Sequence, residues 1–188
     1  MPFEFSQLKI EGLVLAVPQI FADGRGYFYE QYKESEFCQG GIEAHFVQTN
    51  FSHSTRGVLR GLHYQKEPHT QGKLITVMRG EVFDVAVDIR RGSPSYGQWA
   101  GVRLSGQDKA LFYVPPGFAH GFCVLSEEVD FFYMNTAEYA PQYDRGVRWD
   151  DPAIGIEWPL EGEPILSEKD AGQPLLQDAD NDFVYGEI

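Results

Sequence analysis

The run from Val82 to Arg90 alternates without a break: Phe83, Val85, Val87 and Ile89 fall on one side, and Asp84, Ala86, Asp88 and Arg90 on the other. A period of two residues belongs to a β-strand and not to a helix. Shorter runs of the same kind lie at Lys9–Val17, Tyr27–Glu30, Phe46–Asn50, Lys73–Met78, Gln98–Leu104, Ala110–Val114, Phe122–Leu125 and Val129–Asn135. Turns rich in Gly and Pro, such as Asp23–Gly26 and Gly92–Gly97, separate them. About ten short strands with almost no helix argue against a helical bundle or a βαβ fold and indicate an all-β sandwich or barrel.

Local signals refine this outline. Lys9–Val17 ends at Pro18, which suits an edge strand. Lys33–Phe37 has room for one helical turn, and Ser167 is placed to N-cap a short helix reaching Asp170. Pro115–Gly121 reads as a rigid corner that presents His120, and the acidic tail after Gln173 as partly mobile. With 188 residues, 43% of them hydrophobic and 14% aromatic, residues 1–188 are expected to form one packed domain.

The net charge of −13 argues against nucleic acid or an anionic membrane as partner, since either is repelled at long range. A small anionic ligand held by a few local cations remains compatible with it. The N-terminus lacks a basic region followed by an apolar run, so no signal peptide is expected, and no stretch approaches the roughly 20 apolar residues of a membrane span. Cys38 and Cys123 sit in unlike contexts without metal-site spacing, which suits a reduced, cytoplasmic protein.

Chemistry concentrates in residues 56–65, where Arg60, His63, Tyr64 and Gln65 are interleaved with Val58, Leu59 and Leu62. Strict alternation puts Arg60 and His63 on opposite faces. Both enter one cavity only if the strand is irregular between them, and Gly61 is the cheapest place for a bulge. Alone, His63 fits a satisfied core histidine as well as a functional group; its polar neighbours among leucines favour function. Gln48 and Asn50 share a strand face, and Lys73 lies on the face of Ile75 and Val77, where a lysine either snorkels to solvent or serves a buried site.

Gly57-x5-His63 and Pro115-x-Gly117-x-x-His120 resemble the two halves of the cupin pattern, which implies a double-sheet jelly roll with a few short, mostly C-terminal helices. In metal-binding cupins the first half carries His-x-His and a glutamate. Here Gln65 takes the place of the second histidine, Glu67 and His69 fall at unsuitable offsets, and two imidazoles alone hold a divalent ion poorly. No metal site is therefore expected, and what remains is acid–base equipment.

Phe21-x-Asp-x-Arg-Gly26, Gln48-x-Asn-x-Ser52, Val58-Leu-Arg-Gly-Leu-His63, Asp84-Val-Ala-Val-Asp-Ile-Arg90, Pro116-Gly-Phe-Ala-His-Gly-Phe122 and Trp149-Asp-Asp-Pro152 together resemble the dTDP-4-dehydrorhamnose 3,5-epimerases, from about residue 3 to Asp170. The resemblance implies a homodimeric cupin, without metal or organic cofactor, that inverts C3 and C5 of a nucleotide-linked 4-keto-6-deoxy sugar. It implies His63 as base, Asp170 as the carboxylate that orients it, Lys73 as partner of the O4 enolate and Tyr133 as acid on the far face. Asp84 and His120 line the same cavity in this reading. Arg25, Arg60 and Lys169 face the diphosphate, Gln48 and Asn50 hydrogen-bond the substrate, and Phe21, Phe28 and Tyr139 pack against thymine or sugar. Glu30 pairs with the base or a neighbouring arginine. Met134, where many relatives carry a basic residue, and the loop Lys66–Gln71 with its extra histidine depart from the family pattern. A mono-epimerase acting on a related keto sugar, a metal-dependent cupin enzyme and a non-catalytic nucleotide-sugar binding module are the competing readings.

Overall fold

The computed structural model describes residues 2–187. Thirteen strands lie among them. The first seven are β1 (Phe3–Gln7), β2 (Val14–Pro18), β3 (Phe21–Asp23), β4 (Gly26–Phe28), β5 (Gln48–Thr55), β6 (Leu59–Gln65) and β7 (Lys73–Arg79). The rest are β8 (Glu81–Asp88), β9 (Trp99–Ser105), β10 (Leu111–Val114), β11 (Phe118–Val124), β12 (Glu128–Asn135) and β13 (Asp144–Gly146). Helices are short: α1 (Glu34–Gln39), α2 (Glu168–Ala171) and a 3₁₀ turn at Leu176–Asp178.

A six-stranded sheet in the order β1-β2-β10-β7-β12-β5 faces a five-stranded one in the order β13-β6-β11-β8-β9, while β3 and β4 form a separate ribbon. This is the cupin-type jelly roll. The alternation in β8 explains how the sheets meet. Val82 and Ala86 point inward and join Ile75, Val77, Phe112, Phe122, Val129 and Phe131 in the core between the sheets. Val85, Val87 and Ile89 point outward into a second core with Leu62 and Tyr64. Phe122 and Phe131 stack across the central layer with centroids 4.0 Å apart. Each such fully buried side chain contributes about 1.5–3 kcal/mol through removal from water. Asp84 shares the inward parity of Val82 and Ala86, so a carboxyl enters the sandwich at 0% exposure.

The bulge expected at Gly61 is present. On β11 and β6, Phe122 pairs with Arg60 and His120 with His63, so Gly61 and Leu62 together oppose Gly121. Gly61 has φ +129°, and a Cβ there would lie 2.5 Å from Gly121 Cα. The two chains touch backbone to backbone, which only glycine permits.

Three expectations need correction. Lys9–Val17 is not an edge strand: Leu8 N–H bonds Leu13 O to close a hairpin, β2 is paired on both sides, and β1 takes the edge. Pro115–Gly121 is not a corner as a whole, because the strand resumes at Phe118 and His120 lies inside it. The acidic tail after Gln173 is not loose. Leu176 and Phe183 are buried in the second core, and Asp180 is held by Lys66 and Arg145 at 2.5 and 2.8 Å. Two apolar anchors outweigh the polar composition around them. Ser167 does cap α2, its Oγ accepting the Asp170 N–H at 3.1 Å.

Gly61→Ala adds a Cβ in the left-handed region and against backbone, so it is expected to cost at least ~2–3 kcal/mol of unfolding free energy. Gly24→Ala, where nothing lies within 4 Å, is expected to change it by less than ~0.5 kcal/mol. Urea denaturation of both variants checks the contrast; equal stabilities would show that the β6–β11 contact yields easily.

Candidate active site

Between the sheets opens a cavity of about 280 Å³ lined from both sides: His63, Tyr64 and Gln65 from β6, Lys73 from β7, and Tyr133 and Asn135 from β12. Gln48 and Asn50 of β5, Gln71, Tyr139, Asp144 and Lys169 complete the lining.

His63 Nε2 stands 2.5 Å from Asp170 Oδ1, a carboxylate 107 residues away that Ser167 and α2 bring to β6. Burial works against ionising Asp170, but the His63 hydrogen bond and charge, followed by Ser167 and Lys169, outweigh it and hold the carboxyl below the usual range. An ionised carboxylate only accepts, so Nε2 carries its proton and Nδ1 is left as the basic nitrogen.

The opposite sheet supplies different groups. Tyr133, cross-strand from Asn50 and Ile75, points between the sheets with Phe131. Burial lifts its hydroxyl above the ordinary value, only partly offset by the hydrogen bond with Asn50, so it stays a protonated donor at neutral pH. Lys73 Nζ lies 5.5 Å from the Tyr133 ring centroid and 3.0 Å from Gln71 Oε1. Burial pulls its ammonium down to about 8, against the favourable charge of Asp144. Lys73 therefore turns inward instead of snorkelling.

His120, directly cross-strand from His63, bonds Asp84 Oδ1 at 2.8 Å. Desolvation raises the Asp84 pKa, with His120 opposing it, and Asp84 Oδ2 has no hydrogen-bond partner among the described residues. Gln65, in the position of a cupin metal ligand, faces backbone instead. Its Nε2 donates to His69 O at 2.7 Å and to Glu138 O at 3.2 Å, and its Oε1 accepts the Ala140 N–H at 2.7 Å. Among the described residues no three His, Cys, Asp or Glu side chains are grouped to hold a metal ion.

Gln48, Asn50, Tyr139 and Lys169 border the cavity as expected; Gln48 Nε2 bonds Asn50 Oδ1 and its Oε1 accepts the Tyr139 N–H. Arg60 reaches across to Ser54 Oγ at 3.0 Å on the other sheet, yet it is exposed and does not line the cavity. Phe21, Arg25 and Phe28 are not brought to it. They sit on the exposed ribbon, where Arg25 pairs with Asp23 at 2.6 Å. Glu30 pairs with neither the base nor an arginine among the described residues. Met134 faces the opposite side of its sheet, with Phe3 and Phe37, away from the cavity. The extra histidine, His69, stacks on Tyr143 with centroids 4.6 Å apart. Sequence reasoning missed Asp144, Gln71 and Asn135. Asn135 offered a signal, since it shares strand parity with Tyr133, whereas Asp144 and Gln71 lie outside any periodic run.

A jelly roll that sets His63, paired to Asp170 of α2, against Tyr133 and Lys73 of the facing sheet is a cupin-type fold with acid–base groups gathered around one cavity. The family model for dTDP-4-dehydrorhamnose 3,5-epimerase matches residues 7–178. The chain is 52% identical over 178 residues to the dTDP-4-dehydrorhamnose 3,5-epimerase of Methanothermobacter thermautotrophicus, covering 94% of this chain and 96% of that one. A Legionella pneumophila 3,5-epimerase solved with dTDP-4-keto-L-rhamnose superposes with TM-score 0.90 at 49% identity, covering 93% of each chain. A dTDP-4-dehydrorhamnose 3-epimerase of Streptomyces niveus is 41% identical over 92% of this chain and 83% of its own. The chain belongs to the dTDP-4-dehydrorhamnose 3,5-epimerase family, isomerases of nucleotide-linked sugars.

Because its folded pKa is depressed, Asp170 contributes stability above the unfolded value of about 3.9 and loses it as pH falls further. The stability deficit of Asp170→Asn is accordingly expected to be full at pH 6 and to shrink toward pH 3, as followed by denaturant unfolding at each pH. Lys73 should titrate near pH 8 by ¹⁵N-edited NMR, well below the exposed lysines; a midpoint above 10 would mean its amine is hydrated.

Proposed function

We propose that the protein converts dTDP-4-dehydro-6-deoxy-D-glucose to dTDP-4-dehydro-L-rhamnose, with proton removal and return on opposite faces of the sugar ring. The observation that carries this reading is the placement of the polar groups on opposite sides of one cavity: His63 of β6 with Asp170 of α2 on one, Tyr133 with Lys73 on the other. Inverting a carbon beside a ketone needs this separation, because a single group returns the proton to the face it left.

In the proposed sequence His63 Nδ1 takes the proton from the carbon next to C4, and the C–H electron pair moves into the ring to leave negative charge on O4. Asp170 stabilises the imidazolium that forms. The Lys73 ammonium, in a water-poor interior, stabilises the O4 enolate. Tyr133 then protonates the carbon from the other side, and exchange with water restores both groups. O4 is common to the C3 and C5 enolates, so one ammonium serves both inversions. His120, cross-strand from His63 and backed by Asp84, is assigned to the ketone side of the ring, although both are buried behind the residues that line the cavity.

Lys169 and Tyr139 at the cavity mouth, with Gln48 and Asn50, are assigned to the diphosphate and nucleoside; Arg60 and Glu30 are assigned beside them. Phe21, Arg25 and Phe28 join this set only if the ribbon of one copy reaches the cavity of another. That supports a homodimer, as do the 50% and 66% exposure of Phe21 and Phe28. In this reading residues 1–188 act as one domain without organic cofactor or metal. No helix among the described residues is long and apolar enough to cross a membrane, and free Cys38 and Cys123 support a cytoplasmic setting.

Incubated with the 4-keto substrate in deuterated water, the wild-type protein is expected to exchange both the C3 and C5 protons and to yield the L-rhamno product. His63→Ala should lose about 10²–10⁴-fold in kcat. Tyr133→Phe should still wash out protons through His63 while failing to invert. Exchange at C3 alone would make the protein a mono-epimerase, like its Streptomyces niveus relative by name; binding without any exchange would reduce it to a binding module.

A further inference from the structure

One carboxylate borders the cavity without a task in the scheme above. Asp144 begins β13, is fixed in register opposite Gln65, and has a side chain only 10% exposed. Its Oδ2 accepts the Tyr139 hydroxyl at 2.8 Å and also pairs with the Lys169 ammonium. A negative charge at the mouth of a site for a diphosphate repels the ligand unless something offsets it.

The two groups that Asp144 holds explain its presence. They are a hydroxyl and an ammonium, the donors that a phosphate oxygen takes. Lys169 is half exposed and flexible, with 48% of its side chain accessible, whereas the carboxylate is anchored by the sheet. The mobile partner can therefore turn to an arriving anion while the fixed one stays.

Resting on the epimerase reading, we propose that Asp144 is a specificity-determining residue that stands in for a phosphate oxygen before the ligand arrives. It keeps Lys169 and Tyr139, both about half exposed, paired until a diphosphate takes both, so that entry exchanges one anion for another. Lys169 is never left without a counter-charge. An anion must outcompete a built-in carboxylate, which selects a ligand with two phosphates over one carrying a single weak charge.

Calorimetric titration of inorganic pyrophosphate and of dTDP into the full chain tests this, using wild type, Asp144→Asn, Lys169→Ala and the double variant. Asp144→Asn is expected to tighten pyrophosphate binding about three- to tenfold, the scale of one partly exposed ion pair. The gain should vanish in the Lys169→Ala background. Asp144→Ser repeats the measurement if the isosteric variant does not fold. Unchanged or weaker binding by Asp144→Asn, or a gain that survives without Lys169, overturns the proposal and leaves the epimerase reading intact. Failure of the wild-type protein to bind either pyrophosphate or dTDP overturns both.

Discussion

Titratable groups in the interior of a sandwich are tolerated only where another polar group meets them, because desolvation of an unpaired charge costs several kcal/mol. The arrangement of this protein follows from that constraint. Asp170 reaches His63 only because the chain returns from β13 through a long irregular segment to the short helix α2, capped by Ser167. Asp84 is placed inward by the parity of β8, and the neighbouring strand answers it with His120. Lys73 has no carboxylate in direct contact. Burial correspondingly weakens its protonation. His120 and Asp84 pair within one sheet, His63 takes its partner from α2, and the cavity exists only where the sheets face each other.

The bulge at Gly61 connects the backbone to this chemistry. Without it the residues following Gly61 on β6 would turn to the wrong face, since a slip of one residue reverses every side chain beyond it. The close contact with Gly121 holds β6 and β11 together at the point where His63 and His120 become neighbours.

Much of this was legible in the chain itself. The alternation in Val82–Arg90 announces the inward carboxyl, Gly61 marks the irregularity of β6, and Ser167 marks the helix start. His120 was harder, because Pro116 and Gly117 resemble a corner and hide a strand that begins one residue later. The pairing of His63 with Asp170 came from family resemblance, since no periodicity links residues 107 apart. Asp144 and Gln71 carry no local signal, as their roles depend on loops that meet only after folding. Composition misled at the tail, where Leu176 and Phe183 are two apolar anchors among acids. Phe21, Arg25 and Phe28 match the family motif in sequence, yet they lie on a ribbon that does not reach its own cavity.

His63 and Tyr133 belong to different sheets, so the gap between them is the thickness of the sandwich itself. Phe122 and Phe131, stacked between the layers, fill part of the space that separates them. A smaller ring there would leave every polar contact within each sheet intact and still alter the span between His63 and Tyr133. Core volume in this fold thereby sets the width of the cavity, through side chains that do not line it.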